Sequence, residues 1–173
     1  MQDMKKIFCA ALTSFLGSSA LANELAIKIE IPKLNVAEYH RPYVAFWIER
    51  PDQTLAANLS VWYDTKKRNN EGGKWLKDLR QWWRRSGRDL NLPLDGLSGA
   101  TRINGEHQLS FSGEHAALKN LPAGDYNLIV EAAREGGGRE VLKLPFQWNG
   151  KESELISAQG NNELGKLSLQ IKK

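Results

Sequence analysis

The chain has 173 residues, with 24 Lys and Arg against 20 Asp and Glu, 41% hydrophobic and 25% charged residues, and one Cys. This balance excludes a disordered tail, a collagen-like chain and a disulfide scaffold, and a lone Cys excludes an intramolecular disulfide or a cysteine-rich zinc or iron–sulfur site. The formal charge of +4 is mild and is no argument for a nucleic-acid partner.

Residues 1–22 read as a secretory signal peptide. Lys5 and Lys6 give a positive start, residues 7–20 carry no charge, and Ala20-Leu21-Ala22 is an Ala-x-Ala cleavage site. The apolar run is too short to span a bilayer comfortably. Cys9 lies inside it, far from the cut, so a lipidated N-terminus is not expected. The expectation is one exported domain, residues 23–173, in the periplasm. Setting aside Lys5, Lys6 and Asp3, it holds 22 basic and 19 acidic residues, net +3. Export leaves nucleic acid in another compartment.

The mature chain then alternates with period two. Residues 25–31 set Leu25, Ile27, Ile29 and Ile31 against Ala26, Lys28 and Glu30, a half-buried strand stopped by Pro32. Residues 43–50 and 58–64 are rich in aromatic and β-branched residues, and 107–112 alternate again. Residues 125–133 place Tyr126, Leu128 and Val130 on one face, between a Pro122-Ala123-Gly124-Asp125 turn and Gly136-Gly137-Gly138. Residues 139–148 follow as the hairpin partner, with Pro145 marking an edge or a bulge, and 165–171 close the chain. These elements predict a mainly β fold: an Ig-like or transthyretin-like β-sandwich of about seven to eight strands.

One segment departs from period two. In residues 74–86, Trp75, Leu76, Leu79, Trp82 and Trp83 fall on one face of an α-helix. Gly87 follows as a stop and Arg84 and Arg85 suit the last turn. The spacing therefore predicts a single amphipathic helix inserted between strands. Residues 87–106 come next, twenty residues without periodicity, a length that in a compact domain marks function or disorder. Leu90, Leu92, Leu94, Leu97 and Ile103 predict that this connection is pinned to the body.

Within it lies Asp95-Gly96-Leu97-Ser98-Gly99-Ala100-Thr101. This stretch resembles the covalent flavinylation motif, Asp-x-x-(Ser/Thr)-Gly-Ala-Thr, found in sodium-pumping NADH:quinone reductase, in the Rnf electron-transport complex and in many extracytosolic redox proteins. The resemblance implies that an FAD:protein FMN transferase joins FMN through its phosphate to Thr101, with Asp95, Ser98, Gly99 and Ala100 as recognition residues. The residue types suit that chemistry. A phosphoester needs a hydroxyl, and an acceptor that enters another enzyme's site needs small neighbours, here Gly99 and Ala100. Arg102 is placed to pair with the attached phosphate.

A second resemblance covers most of residues 25–171. Ser98 to Arg102, Pro122 to Glu140, Pro145 to Gly150 and Gly165 to Ile171 are similar in order and content to the predicted-periplasmic domain of unknown function 2271 family (DUF2271). That resemblance implies a component of flavin-based extracytosolic electron transfer, with a PepSY-type or other membrane redox protein as partner.

The remaining signals are weaker. Trp47, Trp62 and Trp148 lie on strand patterns and read as core. Of Trp75, Trp82 and Trp83, one could stack on an isoalloxazine ring. Arg80, Arg84, Arg85 and Arg88 form a basic cluster that suits a flavin phosphate, an anionic partner or a membrane surface as well as plain solvent. His107 and His115 are separated by roughly 26 Å if the chain is extended, so they make no metal pair. No nucleophile and base are set together as in a hydrolase. The leading reading is a periplasmic electron carrier with FMN on Thr101, more a carrier than a stand-alone enzyme. The alternative is a cofactor-free periplasmic β-sandwich adaptor that binds a membrane protein.

Overall fold

The computed structural model describes residues 23–173, so the signal peptide expected at residues 1–22 lies outside the described residues. Nine strands form two sheets. β1 (Glu24–Ile31), β5 (Gly105–Ser112), β8 (Ile156–Gln159) and β9 (Lys166–Lys172) make one sheet in the order β5-β1-β9-β8. β2 (Tyr43–Glu49), β3 (Leu55–Tyr63), β4 (Ser98–Ala100), β6 (Gly124–Ala133) and β7 (Arg139–Trp148) make the other, in the order β4-β3-β2-β6-β7. Every pair is antiparallel except β3 with β4.

The sheets face each other across an inner core. Leu25, Ile27, Ile29 and Ile31 from β1 meet Val44, Phe46 and Ile48 from β2 and Leu128 and Val130 from β6. The alternation read from residues 25–31 is therefore the inward face of β1. β7 pairs with β6 alone, so Pro145 sits on a sheet edge, where its missing N–H costs no ladder bond. β6 is buried along nearly its whole length because its sheet is covered on both faces.

The cover on the second face corrects the helix expected over 74–86. The chain makes 3-10 turns between Arg68 and Asp78, broken by left-handed Asn69 and Asn70, turns at Leu79 (φ −75°, ψ 70°), and only then makes a short α-helix, α1 (Arg80–Arg85). Leu76, Leu79 and Trp82 are buried against Ala45, Trp47, Val61, Tyr63, Ile129 and Ala133. Trp75, by contrast, is 45% exposed. The start of α1 is fixed from another element. The buried Glu131 carboxylate on β6 accepts N–H bonds from Gln81 at 3.1 Å and Trp82 at 2.8 Å, and Arg139 donates to it at 2.9 Å. Those two amides are orphan donors that a first turn must satisfy.

The connection at 87–106 is pinned as expected by Leu97, which is buried, and by Leu90 and Leu92, which pack on the same outer core. Leu94 and Ile103 are exposed instead.

Candidate functional site

The segment from Leu94 to Thr101 is a turn followed by the edge strand β4. The Leu94 carbonyl accepts the N–H groups of Leu97 at 3.2 Å and Ser98 at 2.9 Å. Gly96 takes φ +76° at the third position of that turn, a conformation that other residues resist. The Ser98 hydroxyl accepts the Leu94 N–H at 3.0 Å and closes the turn from the other side. Asp95 is exposed at its tip.

β4 then runs parallel to the end of β3, with Ser98, Gly99 and Ala100 opposite Val61, Trp62 and Tyr63. Gly99 lies against the Trp62 ring: a Cβ there would stand 3.0 Å from Cδ1 of the indole. Trp62 is also packed on Phe46, with ring centroids 4.8 Å apart, and on His107 at 5.8 Å. Arg102 places its guanidinium 5.4 Å from the centre of the same indole, a cation–π contact. Trp62 and Tyr63, neighbours on β3, face opposite sides, the inner and the outer core. Arg102 stacks on Trp62, and on the other side Tyr63, Ala100 and Thr101 border open space.

That other side is a cavity of about 440 Å³. It lies where β3, β4 and β6 run out and β2 begins, at the rim of the outer core. Ala100 and Thr101 form part of its wall with Tyr43, Tyr63 and Trp75. The Thr101 amide is held by the Tyr63 carbonyl at 3.2 Å, and Thr101 is half-buried. The Tyr43 hydroxyl donates to the Gly72 carbonyl at 3.1 Å, and burial pushes its pKa up, so the phenol stays protonated. The Gly72 backbone lies directly on Asp64, leaving no room for a Cβ. The Tyr63 ring meets Tyr43 edge-on at 6.3 Å. Tyr63 is fully buried and its hydroxyl has no hydrogen-bond partner, alone in this among the buried side-chain polar atoms of the described residues.

Charge around the cavity is mixed. Arg134 is committed to Glu163 through bonds of 2.8 and 3.1 Å, which raise its pKa further. His40 lies 3.1 Å from Glu38 and 3.8 Å from Glu135. Lys66, Lys67 and Arg41 also line the cavity, and among the described residues none of the three is in an ion pair. Asp64 and Asp78 line it too, likewise in no ion pair among the described residues, so three unpaired cations stand against two unpaired carboxylates.

The sequence-derived site residues therefore divide. Ala100 and Thr101 line the cavity, Asp95 stands in solvent, and Ser98, Gly99 and Arg102 hold the turn and cover Trp62. The basic cluster lies elsewhere. Arg85 pairs with Glu49 at 3.3 Å, Arg88 with Asp89 at 3.7 Å, and Arg84 donates to the Arg80 carbonyl. Of the three tryptophans in the cover, Trp75 reaches the cavity, while Trp82 is core and Trp83 half-buried. Sequence reasoning missed Tyr43, Tyr63, Lys66 and Lys67. The one available signal was the run Asp64-Thr65-Lys66-Lys67-Arg68 directly after a strand.

A family model described as "Predicted periplasmic protein (DUF2271)" matches residues 24–166. No curated protein and no solved structure matches the chain. Among the described residues, no helix is long and apolar enough to cross a membrane.

Proposed function

The chain belongs to the DUF2271 family of predicted periplasmic proteins, which places it in the periplasm, and on that premise we propose that it is an electron-transfer protein carrying FMN in phosphoester linkage to Thr101. The observation that carries the reading is the position of Thr101. The last residue of the motif lines a cavity of about 440 Å³, within the roughly 300–1,000 Å³ usual for small-molecule sites. A phosphoester on its hydroxyl would start at the wall of that cavity.

The residues present fit the group. Tyr43 and the nearly half-exposed Trp75 offer aromatic surface for a flat ring. Lys66, Lys67 and Arg41 offer charge to a phosphate. The unpartnered Tyr63 hydroxyl is a donor in want of an acceptor. FMN supplies redox chemistry that no side chain here offers, and the protein's part is to hold and orient it. Attachment is a transfer in which the Thr101 hydroxyl oxygen displaces AMP from the FMN phosphorus of FAD, its proton passing to the departing AMP. The chain gains FMN less one water.

Within this proposal the scaffold is a sandwich of Ig-like or transthyretin-like type that presents its site at strand ends. An FAD:protein FMN transferase loads it, and a PepSY-type or other membrane redox protein exchanges electrons with it. The adaptor reading differs in one respect that can be measured, since it requires no cofactor. The test is the intact mass of the chain exported from a host that co-expresses the transferase. A gain of FMN less one water, mapped to the peptide holding Thr101, is the expected result. An unmodified mass, with a known flavinylated protein labelled in parallel, overturns the reading in favour of the adaptor.

A further inference from the structure

The cover over the outer face carries a charge asymmetry that the cavity does not explain. Residues 66–89 hold nine Lys or Arg against three Asp or Glu, net +6, while the other described residues hold 13 against 16, net −3. Leu76, Leu79 and Trp82 turn inward to the sheet, and the charged residues of this segment are exposed to solvent. Glu71, Asp89 and, from β2, Glu49 partly offset Lys74, Arg88 and Arg85, and the exposed Asp78 follows Lys77 in sequence. Arg68, Lys77 and Arg80 are exposed and make no ion pair among the described residues. Among them stands Trp75, 45% exposed, with the Lys77 ammonium 6.0 Å from its ring centre. Lys66, Lys67 and Trp75 belong to this face and also to the cavity wall, so the face begins at the mouth of the site.

We propose that this face is a docking surface for an acidic protein, which it brings up to the mouth of the Thr101 cavity. That the docked protein is an electron partner rests on the flavin reading above; the docking itself does not. Charge complementarity sets the choice of partner, because a concentrated positive face steers an acidic surface toward it and repels a basic one. A lipid surface fits less well. Interfacial segments insert an exposed apolar face, and here the apolar residues are spent on the outer core, leaving Trp75 to insert alone.

The experiment uses the full exported chain and two probes, poly-L-glutamate and vesicles of phosphatidylcholine and phosphatidylglycerol in equal parts. The expected result is binding to poly-L-glutamate that weakens as salt rises, and about ten-fold weaker binding when Arg68, Lys77 and Arg80 are together changed to Glu. None of these three lines the cavity. The same charge change at Lys119, Lys166 and Lys173, outside the cover, leaves binding as it was. Equal binding by the Arg68, Lys77, Arg80 variant and the unmodified chain overturns the proposal, and so does tighter binding to the vesicles than to poly-L-glutamate. Charge-dependent binding in a chain that takes up no flavin even when exported with the transferase sustains the docking surface and overturns the flavin reading instead.

Discussion

The amide of Thr101 donates to the carbonyl of Tyr63 at 3.2 Å, which fixes the motif's last residue to the last residue of β3. One bond thereby couples Thr101 to the wall of the cavity beside it. Tyr63 and Thr101 both border the cavity, whereas Trp62, the neighbour of Tyr63 on β3, faces the inner core and carries the Arg102 guanidinium.

Because the fold holds Thr101 by its backbone, its hydroxyl can be removed cheaply. Thr101→Val is expected to give a folded protein whose unfolding free energy lies within about 0.5 kcal/mol of the parent. It should show no mass gain when exported with the transferase, whereas Thr101→Ser, which keeps a hydroxyl, should still be labelled. Intact mass and urea unfolding on the same samples check both parts. Flavin that survives denaturation on Thr101→Val would place the attachment elsewhere.

The Tyr63 hydroxyl makes the opposite kind of prediction. A buried polar group without a partner costs stability, and replacing it by an apolar group of the same shape returns that cost. Tyr63→Phe is expected to raise the stability of the flavin-free protein by about 1 kcal/mol, read as a higher urea midpoint at unchanged slope. A loss of stability would show that the hydroxyl is already satisfied by bound water.

How much of this was legible in the sequence depends on the range of the interactions. β1 and β6 announce themselves by alternation, and Pro145 marks the edge strand, because these are local signals. β4 and β8, of three and four residues, are too short to show a period. The segment at 74–86 misled because apolar residues spaced three apart suit a 3-10 repeat as well as an α-helix. The choice was made by Glu131, far along the chain, whose carboxylate takes the amides of Gln81 and Trp82. The motif pointed to Thr101, but Tyr43, Tyr63, Lys66 and Lys67 join it only through sheet pairing, which one sequence does not encode visibly. Gly99 was read as a small neighbour for a visiting enzyme, and its contact with Trp62 shows that the fold needs it small as well.

That second role of Gly99 can be measured. A Cβ 3.0 Å from the indole must push a ring held by Phe46, His107 and Arg102, so it has little room to yield. Gly99→Ala is expected to destabilise by about 1–2 kcal/mol and Gly99→Val by more. The sign is diagnostic, since Gly→Ala at an unhindered site stabilises by about 0.4–1 kcal/mol. Chemical unfolding of the variants gives the answer, and a neutral or stabilising Gly99→Ala would show that the contact with Trp62 does not require glycine.

The last prediction concerns acid. Burial works against ionisation of Glu140, yet the backbone N–H groups of Asn161, Asn162 and Leu164, donating at 2.7, 3.0 and 2.9 Å, outweigh it and hold its pKa below the ordinary 4.5. In the unfolded chain those donors are lost and the carboxyl takes its proton at a higher pH than in the folded one. The stabilisation is therefore complete above the ordinary glutamate value, and it declines as pH falls toward the folded pKa because the unfolded state then binds more protons. Glu140→Gln keeps the shape but removes the charge. Its unfolding free energy is expected to fall below that of the parent at neutral pH, and the gap is expected to narrow steadily once the pH drops under about 4.5. Urea unfolding of both proteins across that range tests the sign, and a gap that widens in acid would mean that burial, rather than the three amides, governs this carboxyl.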